Sequence, residues 1–457
     1  MKDSGNRDAV SVVGLGYVGL SMAAVLARRG SRVFGIDHRE DVVNLINTGN
    51  CPIREPGLKE LLRRVTVFGR LTAHTDPGVA AGAGTVIMAV GTPLDTSSRP
   101  DLGQLEQAAA DIAPFLRKGQ SLIIKSTVPP GTTRKLAEVL SQKSGLKAGS
   151  DFSMAFCPER LAEGSMISDL ETIPVVVGGI TPENTREISS FWASMGWPVI
   201  PVSGPEEAEM TKLADNLWID LNIALANEIC MICHRINIDV LEVIGAANTL
   251  PKGAGMVNIL SPGPGVGGSC LVKDPWFLHH LGNEAGVGTN LPPAGRKTND
   301  GMPGFMAGIL EEGLGRTGAV IKGAEVAVLG LAFKQKTGDT RFSPSLDLVR
   351  ILASAGARVR VHDPWVDQGE AEQLLAGLAV LEDSLPSAVA GCDAVVFMVA
   401  HPEFSGTPAY WKGLVGDQCL VLDCRYIFNP AEMAGAGINY IAPGRRLLPG
   451  TGGEIKR

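Results

Sequence analysis

One of the eight cysteines in this 457-residue chain stands apart by its surroundings. Cys270 follows Gly267-Gly268-Ser269 and is followed by Lys273 and Asp274, so it sits in a glycine loop with a cation three residues on. A thiol becomes a thiolate at neutral pH only beside positive charge or backbone amides. Such a thiolate can add to an aldehyde, and hydride loss from the adduct leaves a thioester. The alternative for any cysteine is a small, inert core residue. Lys212 and Asn216 lie four apart in a helical stretch and share a face. A cation and an amide converging on one oxygen suit an alkoxide or oxyanion, while the plainer reading is an exposed polar face. Glu159 and Glu163, four apart in CPERLAEG just after a strand, can position or activate a water, or simply favour a helix start through its dipole.

A second constellation lies near the N-terminus. Gly14-x-Gly16-x-x-Gly19, with Tyr17 and Val18 between, follows an apolar run and opens a helical one. In that context the first glycine permits the turn and the second admits a pyrophosphate against the backbone. The third lets helix pack on strand. Asp37 ends the next strand, where a carboxylate accepts from a ribose 2′-OH and repels a 2′-phosphate; NAD is therefore expected over NADP, with nearby Arg39 softening the preference. Val90-Gly91-Thr92-Pro93 and Ser126-Thr127 fall at the ends of later strands, where ligands of open α/β sheets bind. Cys230-Met-Ile-Cys233-His234 matches a haem-attachment spacing, but it lies within an apolar-periodic helix and reads as core thiols. No metal site is expected, since the adjacent His279 and His280 point in two directions on a helix.

The elements that must position these groups can be read from periodicity. Residues 9–37 read as strand, glycine turn, helix and strand, and further strands are predicted at 84–90, 120–127, 151–158 and 173–179, with helices between them. That alternation predicts parallel βαβ units in a doubly wound sheet. From Pro205 a helix of roughly 30 residues, long for a globular protein, is a connector and dimer surface. From about residue 320 the opening pattern recurs as AEVAVLGLAF, LDLVRILASAG and ARVRVHD. Here GLAFKQKTGDTR stands in place of GLGYVGL, so the pyrophosphate glycines are gone and basic residues have entered. The expected fold is α/β: two Rossmann-like doubly wound parallel-sheet domains joined by a long central helix. The expected domains are 1–203 for the cofactor, 204–315 for the linker with the Cys270 loop, and 316–457 for a different nucleotide.

Composition agrees with a globular protein: 45% of residues are hydrophobic and 19% charged, and the net charge of -7 argues against a nucleic-acid surface. No export signal is read at the N-terminus, and apolar runs such as VIMAV and VVFMVA are far short of a membrane span. A cytoplasmic protein with reduced thiols and no membrane partner is the expectation.

GLGYVGL, VGTP, IKSTVPPGTT, CPERLAEG, EAEMTKLADN, GPGVGGSCLVKDPWFL, RKTND and FKQKTGDTRFSP, in that order, resemble the UDP-glucose/GDP-mannose dehydrogenase family over nearly the whole chain. The resemblance implies two oxidations of a nucleotide sugar at C6 with two NAD and no metal, in a dimer formed through the central helix. It makes Cys270 the nucleophile, Lys212 and Asn216 the groups on the C6 oxygen, and Asp274 a water-positioning acid. Thr127 and Glu163 serve the water and proton steps. Glu159, Arg160, Leu161 and Gly267 are expected at the sugar, with Phe333, Lys334 and Arg341 at the uridine diphosphate. Arg425 closes that site and Arg296 binds substrate. Lys273 joins the cofactor contacts. PGPGVGG, DPWFL, PERLAEG and NIALANE resemble the UDP-N-acetylmannosamine and UDP-N-acetylglucosamine branch. Ser269 departs from the histidine common there, and Ile219 from the usual arginine. UDP-glucose is the next substrate to consider. A two-electron β-hydroxyacid dehydrogenase shares GxGxxG and the helical Lys-x-x-x-Asn but needs no cysteine. A silent NAD-binding sensor would leave Cys270, Lys212 and Asn216 without a task.

Overall fold

Short apolar runs, rich in Val and Ile, form most strands of the two main sheets in the computed structural model, which describes residues 9–95 and 99–446. The chain divides into two units, Met1–Asn216 with Trp276–Val287, and Leu217–Pro275 with Gly288–Arg457.

The first unit is built on eight strands: β1 (Ala9–Val13), β2 (Arg32–Ile36), β3 (Leu71–His74), β4 (Thr85–Met88), β5 (Ser121–Ile124), β6 (Ser153–Phe156), β7 (Val175–Gly179) and β8 (Val199–Pro201). They lie in the order β3-β2-β1-β4-β5-β6-β7-β8. Alternation along each strand feeds two cores. Val10, Val12, Ile87 and Ile123 face one core, and Val13, Val86, Met88, Leu122 and Ile124 the other. A sheet covered on both faces needs apolar residues at every position, which is why these strands read as unbroken apolar runs. The doubly wound sheet expected from the sequence is present, with one antiparallel pair, β6 with β7, among otherwise parallel neighbours. The segment between them, which carries Glu159 to Leu161, returns the chain beside β6 instead of crossing over the sheet.

The second unit carries a small hairpin of β9 (Pro251–Lys252) and β10 (Gly255–Met256). Its main sheet uses β11 (Glu325–Leu329), β12 (Arg358–His362), β13 (Val380–Leu381), β14 (Ala394–Phe397), β15 (Leu420–Asp423) and β16 (Asn439–Ile441). All pair in parallel, in the order β13-β12-β11-β14-β15-β16. Val326, Val328 and Val396 face one core, and Ala327, Leu329, Val395 and Phe397 the other.

The expected long helix runs from Pro205 to Ile236. By length and composition it could cross a membrane. Yet Glu209, Lys212, Asn216, Asp220 and Asn227 are buried along it, and polar groups in such number mark a helix of a protein interior rather than one facing lipid.

The internal repeat is visible atom by atom. Gly14 N–H donates to Ile36 O, and Leu15 N–H to Asp37 Oδ2 at 2.9 Å. In the second unit Gly330 N–H donates to His362 O, and Leu331 N–H to Asp363 Oδ2 at 2.7 Å. Both glycines have positive φ, 87° and 95°, a region closed to most side chains. The two turns lead into different structures. Gly16 is the N-cap of the Tyr17–Arg28 helix and caps nothing with a side chain. The helix Pro344–Ser354 starts only after a loop, and Ser343 caps it by accepting from Ser345 N–H.

Candidate active site

In the first unit the Gly14–Gly19 turn is shaped for a dinucleotide. A Cβ on Gly19 would lie 1.8 Å from Gly14 O, and one on Gly14 2.7 Å from Ala89 O, whereas a Cβ on Gly16 would meet nothing within 4 Å. Two glycines thus close the turn and the third leaves space over a helix N-terminus whose N-cap has no side chain, the arrangement that receives a pyrophosphate. Asp37 is buried at the end of β2; its Oδ1 accepts from Arg39 N–H at 3.0 Å, and Arg39 Nε lies 3.4 Å away. The carboxylate therefore holds the turn from the end of the second strand. The later strand ends are stitched together: Ser126 Oγ donates to Val90 O and Thr92 Oγ1 to Thr127 O, each at 2.7 Å. Gly91 stays exposed beside them.

Further along the same unit, Lys212 Nζ donates to Glu159 Oε2 at 3.1 Å, both side chains almost wholly buried. Glu159 also accepts from Leu161 N–H, and Arg160 Nε is paired with Asp215 at 2.8 Å. Asn216 is buried too, so the exposed-face alternative for Lys212 and Asn216 is set aside. Glu163 is partly buried in the loop before Met166. Two buried ionisable residues here escape a reading of the sequence. Lys125 Nζ donates to Cys157 O at 3.2 Å and Pro158 O at 3.4 Å, and burial pulls its ammonium below the ordinary lysine range. It braces the segment leading to Glu159; its signal is a lysine ending an apolar strand. Glu209 accepts from Gly131 N–H, Thr133 N–H and Thr133 Oγ1–H at 2.6–2.7 Å. Its signal is its place three residues before Lys212, on the same helix face.

Of the eight cysteines, Cys270 in the second unit alone is exposed; Cys51 of the first unit is half-buried, and the rest are buried thiols. Burial lifts Cys230 and Cys392 to about 11 and Cys419 to about 12. The Cys230-x-x-Cys233 pair is core, as expected, with Cys230 Sγ 3.5 Å from Tyr426 Oη. Cys270 ends its glycine loop at a turn in which its carbonyl accepts from Lys273 and Asp274 N–H. Lys273 Nζ is paired with fully buried Asp274 at 2.5 Å, and Ser269 Oγ lies 4.0 Å from Cys270 Sγ.

The loop owes its glycines to close packing. A Cβ on Gly267 would lie 2.6 Å from Phe342 O and 2.7 Å from Phe333 Cβ, and one on Gly268 2.9 Å from the Phe333 ring. Gly268 N–H donates to Arg341 O at 3.0 Å. Gly263 abuts the Arg425 guanidinium, whose Nε donates to Met398 O. The structure thus brings Cys270 and Gly267 together with the Phe333–Lys334–Arg341 segment and Arg425. Arg341 is half-exposed and paired with Asp339. Arg296 differs from the expectation of a substrate contact. It is 1% exposed, and its guanidinium is engaged by Asp220 and Asp300. No group of three or more His, Cys, Asp or Glu able to hold a metal occurs among the described residues.

Comparison with known proteins identifies the family. Residues 8–195 match the NAD binding domain of the UDP-glucose/GDP-mannose dehydrogenase family, residues 206–301 its central domain, and residues 327–430 its UDP binding domain. The UDP-N-acetyl-D-mannosamine dehydrogenase of Pyrococcus horikoshii is 38% identical over 395 residues, covering 86% of this chain and 90% of that protein. The NDP-N-acetyl-D-galactosaminuronic acid dehydrogenase of Ralstonia nicotianae is 36% identical over 403 residues, covering 86% and 91%. The solved structure of a UDP-glucose dehydrogenase from Pyrobaculum islandicum superposes with a TM-score of 0.85 at 31% identity, covering 97% of this chain and 99% of that one. The chain belongs to the UDP-glucose/GDP-mannose dehydrogenase family and is an NAD-dependent oxidoreductase of UDP-sugars.

Proposed function

We propose that this protein oxidises the C6 alcohol of a UDP-N-acetylhexosamine to the uronate through a thioester on Cys270, with UDP-N-acetylmannosamine the first choice of substrate and UDP-N-acetylglucosamine the second. The observation that carries the thioester is the single exposed thiol, presented by a glycine loop that packs on the Phe333–Arg341 segment. The choice of sugar rests on the Pyrococcus and Ralstonia relatives, whose names both specify N-acetylated sugars.

The Gly14–Gly19 turn would hold NAD, which when bound would supply the hydride acceptor, one NAD being consumed in each of the two oxidations. Lys212 and Asn216 stabilise the oxygen on C6 as its proton leaves and the carbonyl forms. Cys270 Sγ adds to the aldehyde carbon, and loss of the second hydride from that adduct leaves a thioester. Water then adds to the thioester carbon and the C–S bond breaks, returning the thiolate and releasing the carboxylate. Asp274, Thr127 and Glu163 hold and deprotonate that water. Arg160, Leu161 and Glu159 are assigned to the sugar, Lys334, Arg341 and Arg425 to the diphosphate, and Lys273 to the cofactor. In this reading residues 1–203, 204–315 and 316–457 are the NAD-binding, linking and UDP-sugar-binding modules of a cytoplasmic homodimer. The dimer would form along the central helix, where Trp218, Leu225 and Ile232 recur every seven residues with about half or more of each exposed.

The test is NADH formed per mole of limiting UDP-N-acetylmannosamine, beside UDP-N-acetylglucosamine and UDP-glucose. Two equivalents and a uronate from an N-acetylated sugar, abolished in Cys270→Ala, are expected. One equivalent, or two in the Cys270→Ala variant, would refute the thioester; two from UDP-glucose alone would move the substrate to that sugar.

A further inference from the structure

Arg296 is the largest charged side chain buried among the described residues of the second unit, and what surrounds it is a ladder of polar groups joining two helices to one loop. Asp220 and Asn227, seven apart on the central helix, share a face. Arg296 and Asn299, three apart on the helix Leu291–Arg316, face them. Arg296 Nη1 donates to Asp220 Oδ1 at 2.7 Å, and Asn299 Nδ2 donates to the same oxygen at 2.8 Å and to Asp220 O at 3.0 Å. Asn227 Nδ2 donates to Asn299 Oδ1 at 2.9 Å. All four residues are at most 1% exposed.

The ladder ends on the loop that presents Cys270. Gly263 N–H donates to Asn227 Oδ1 at 2.9 Å. Arg296 reaches Val266 O through Nη2 and Leu271 O through Nη1, each at 3.5 Å. These carbonyls stand on either side of Cys270, so one rigid guanidinium fork spans the residues that bracket the thiol. Gly265, with φ of 122°, would bring a Cβ to 3.0 Å from Asn299 O, and Gly295 brings the two helices close enough that a Cβ there would be 2.7 Å from Leu221 Cδ2. A planar five-donor cation is the side chain able to reach a carboxylate and two divergent carbonyls at once, which lysine cannot do. A buried network of this kind specifies one geometry more than it adds stability.

We infer that the Asp220–Arg296–Asn299–Asn227 ladder sets the position of the Cys270 thiol, with Arg296 a positioning residue that does not touch the substrate. The inference rests on Cys270 being the nucleophile. Its physical content is that small displacements of a reacting atom cost rate and leave ligand affinity alone.

The experiment compares Arg296→Lys and Asp220→Asn with the parent and with Cys270→Ala. Each is read by kcat and KM for the UDP-sugar and by the Kd for NAD. The rate at which iodoacetamide alkylates Cys270 is followed on its own peptide by mass spectrometry. Asp220→Asn preserves shape and serves if Arg296→Lys does not fold. Expected is a kcat lower by roughly 100-fold, the scale of about 1 Å of misplacement, with an altered Cys270 alkylation rate and unchanged KM and Kd. A raised KM with parental alkylation would make Arg296 a substrate ligand and overturn the inference. Parental kcat and alkylation in a variant that only melts earlier would reduce the ladder to a structural brace and overturn it equally. Full uronate formation by Cys270→Ala would instead refute the thioester itself, so the two failures are separable.

Discussion

Glu209→Gln should change how the stability of the first unit depends on pH. The Glu209 carboxylate is fully buried and accepts from Gly131 N–H, Thr133 N–H and Thr133 Oγ1–H. These donors cap the helix Thr132–Ser144, which starts just after the Ser126-Thr127 strand end. Burial is the largest influence on its acidity, assisted by Glu206, and lifts it from 4.5 to about 7 against the pull of the three donors. A folded pKa above the unfolded one means that the folded state binds the extra proton. The associated stability is present in acid and lost as pH rises through about 7. Linkage between 4.5 and about 7 gives a loss of roughly 2 kcal/mol between about pH 5.5 and about pH 8.5. Glutamine keeps the shape but cannot titrate, and it turns an N–H2 toward one of the three donors. That conflict costs about 1–3 kcal/mol at the acid end. Urea unfolding of both proteins across that range should show the variant less stable at low pH and the gap closing by roughly 2 kcal/mol as pH rises. Curves that stay parallel would refute the reasoning, because they would mean that Glu209 is ionised throughout and its donors outweigh its burial.

Gly19→Ala forces a Cβ to 1.8 Å from Gly14 O. Overpacking of about 1–3 kcal/mol should weaken NAD binding by tenfold or more in calorimetric titration, and unchanged affinity would remove the turn from the cofactor site. Lys212→Met leaves Glu159 buried without its cation. The expected loss of about 3–5 kcal/mol should lower Tm by roughly 10 °C, and an unchanged Tm would show that the pair is not a buried one in solution. Leu225→Asp places a charge within the Trp218–Ile232 stripe. If the proposed dimer forms on this stripe, sedimentation should show the variant as monomer beside a dimeric parent; a dimeric variant would place the interface elsewhere, and a monomeric parent would remove the dimer.

The repeated strand–turn–helix pattern is legible in the sequence because both sheets are covered on both faces, which imposes apolar runs of fixed length between helices. The antiparallel β6–β7 pair is not, since a short apolar strand carries no mark of its direction. Gly14 and Gly19 can be assigned because close backbone approach excludes a side chain and so writes itself into residue type, while Gly16 leaves the helix N-terminus bare for a ligand. Cys270 stands out for the same reason: the glycines beside it exist to admit Phe333 and Phe342.

Residue identity alone determined that the chain would have two nucleotide-type α/β units, a long helix and one unusual thiol. Tertiary structure decided what the buried charges do. In sequence Lys212 is a polar residue on a helix face, and only the fold puts Glu159 3.1 Å from it. Arg296 resembles a ligand contact by its motif, yet it lies buried against Asp220, Val266 O and Leu271 O. The reason is physical. Backbone demands and hydrophobic periodicity are local and leave a signature at fixed spacing, whereas the partner of a buried charge comes from residues 53 or 76 positions away, and nothing in the local pattern names it.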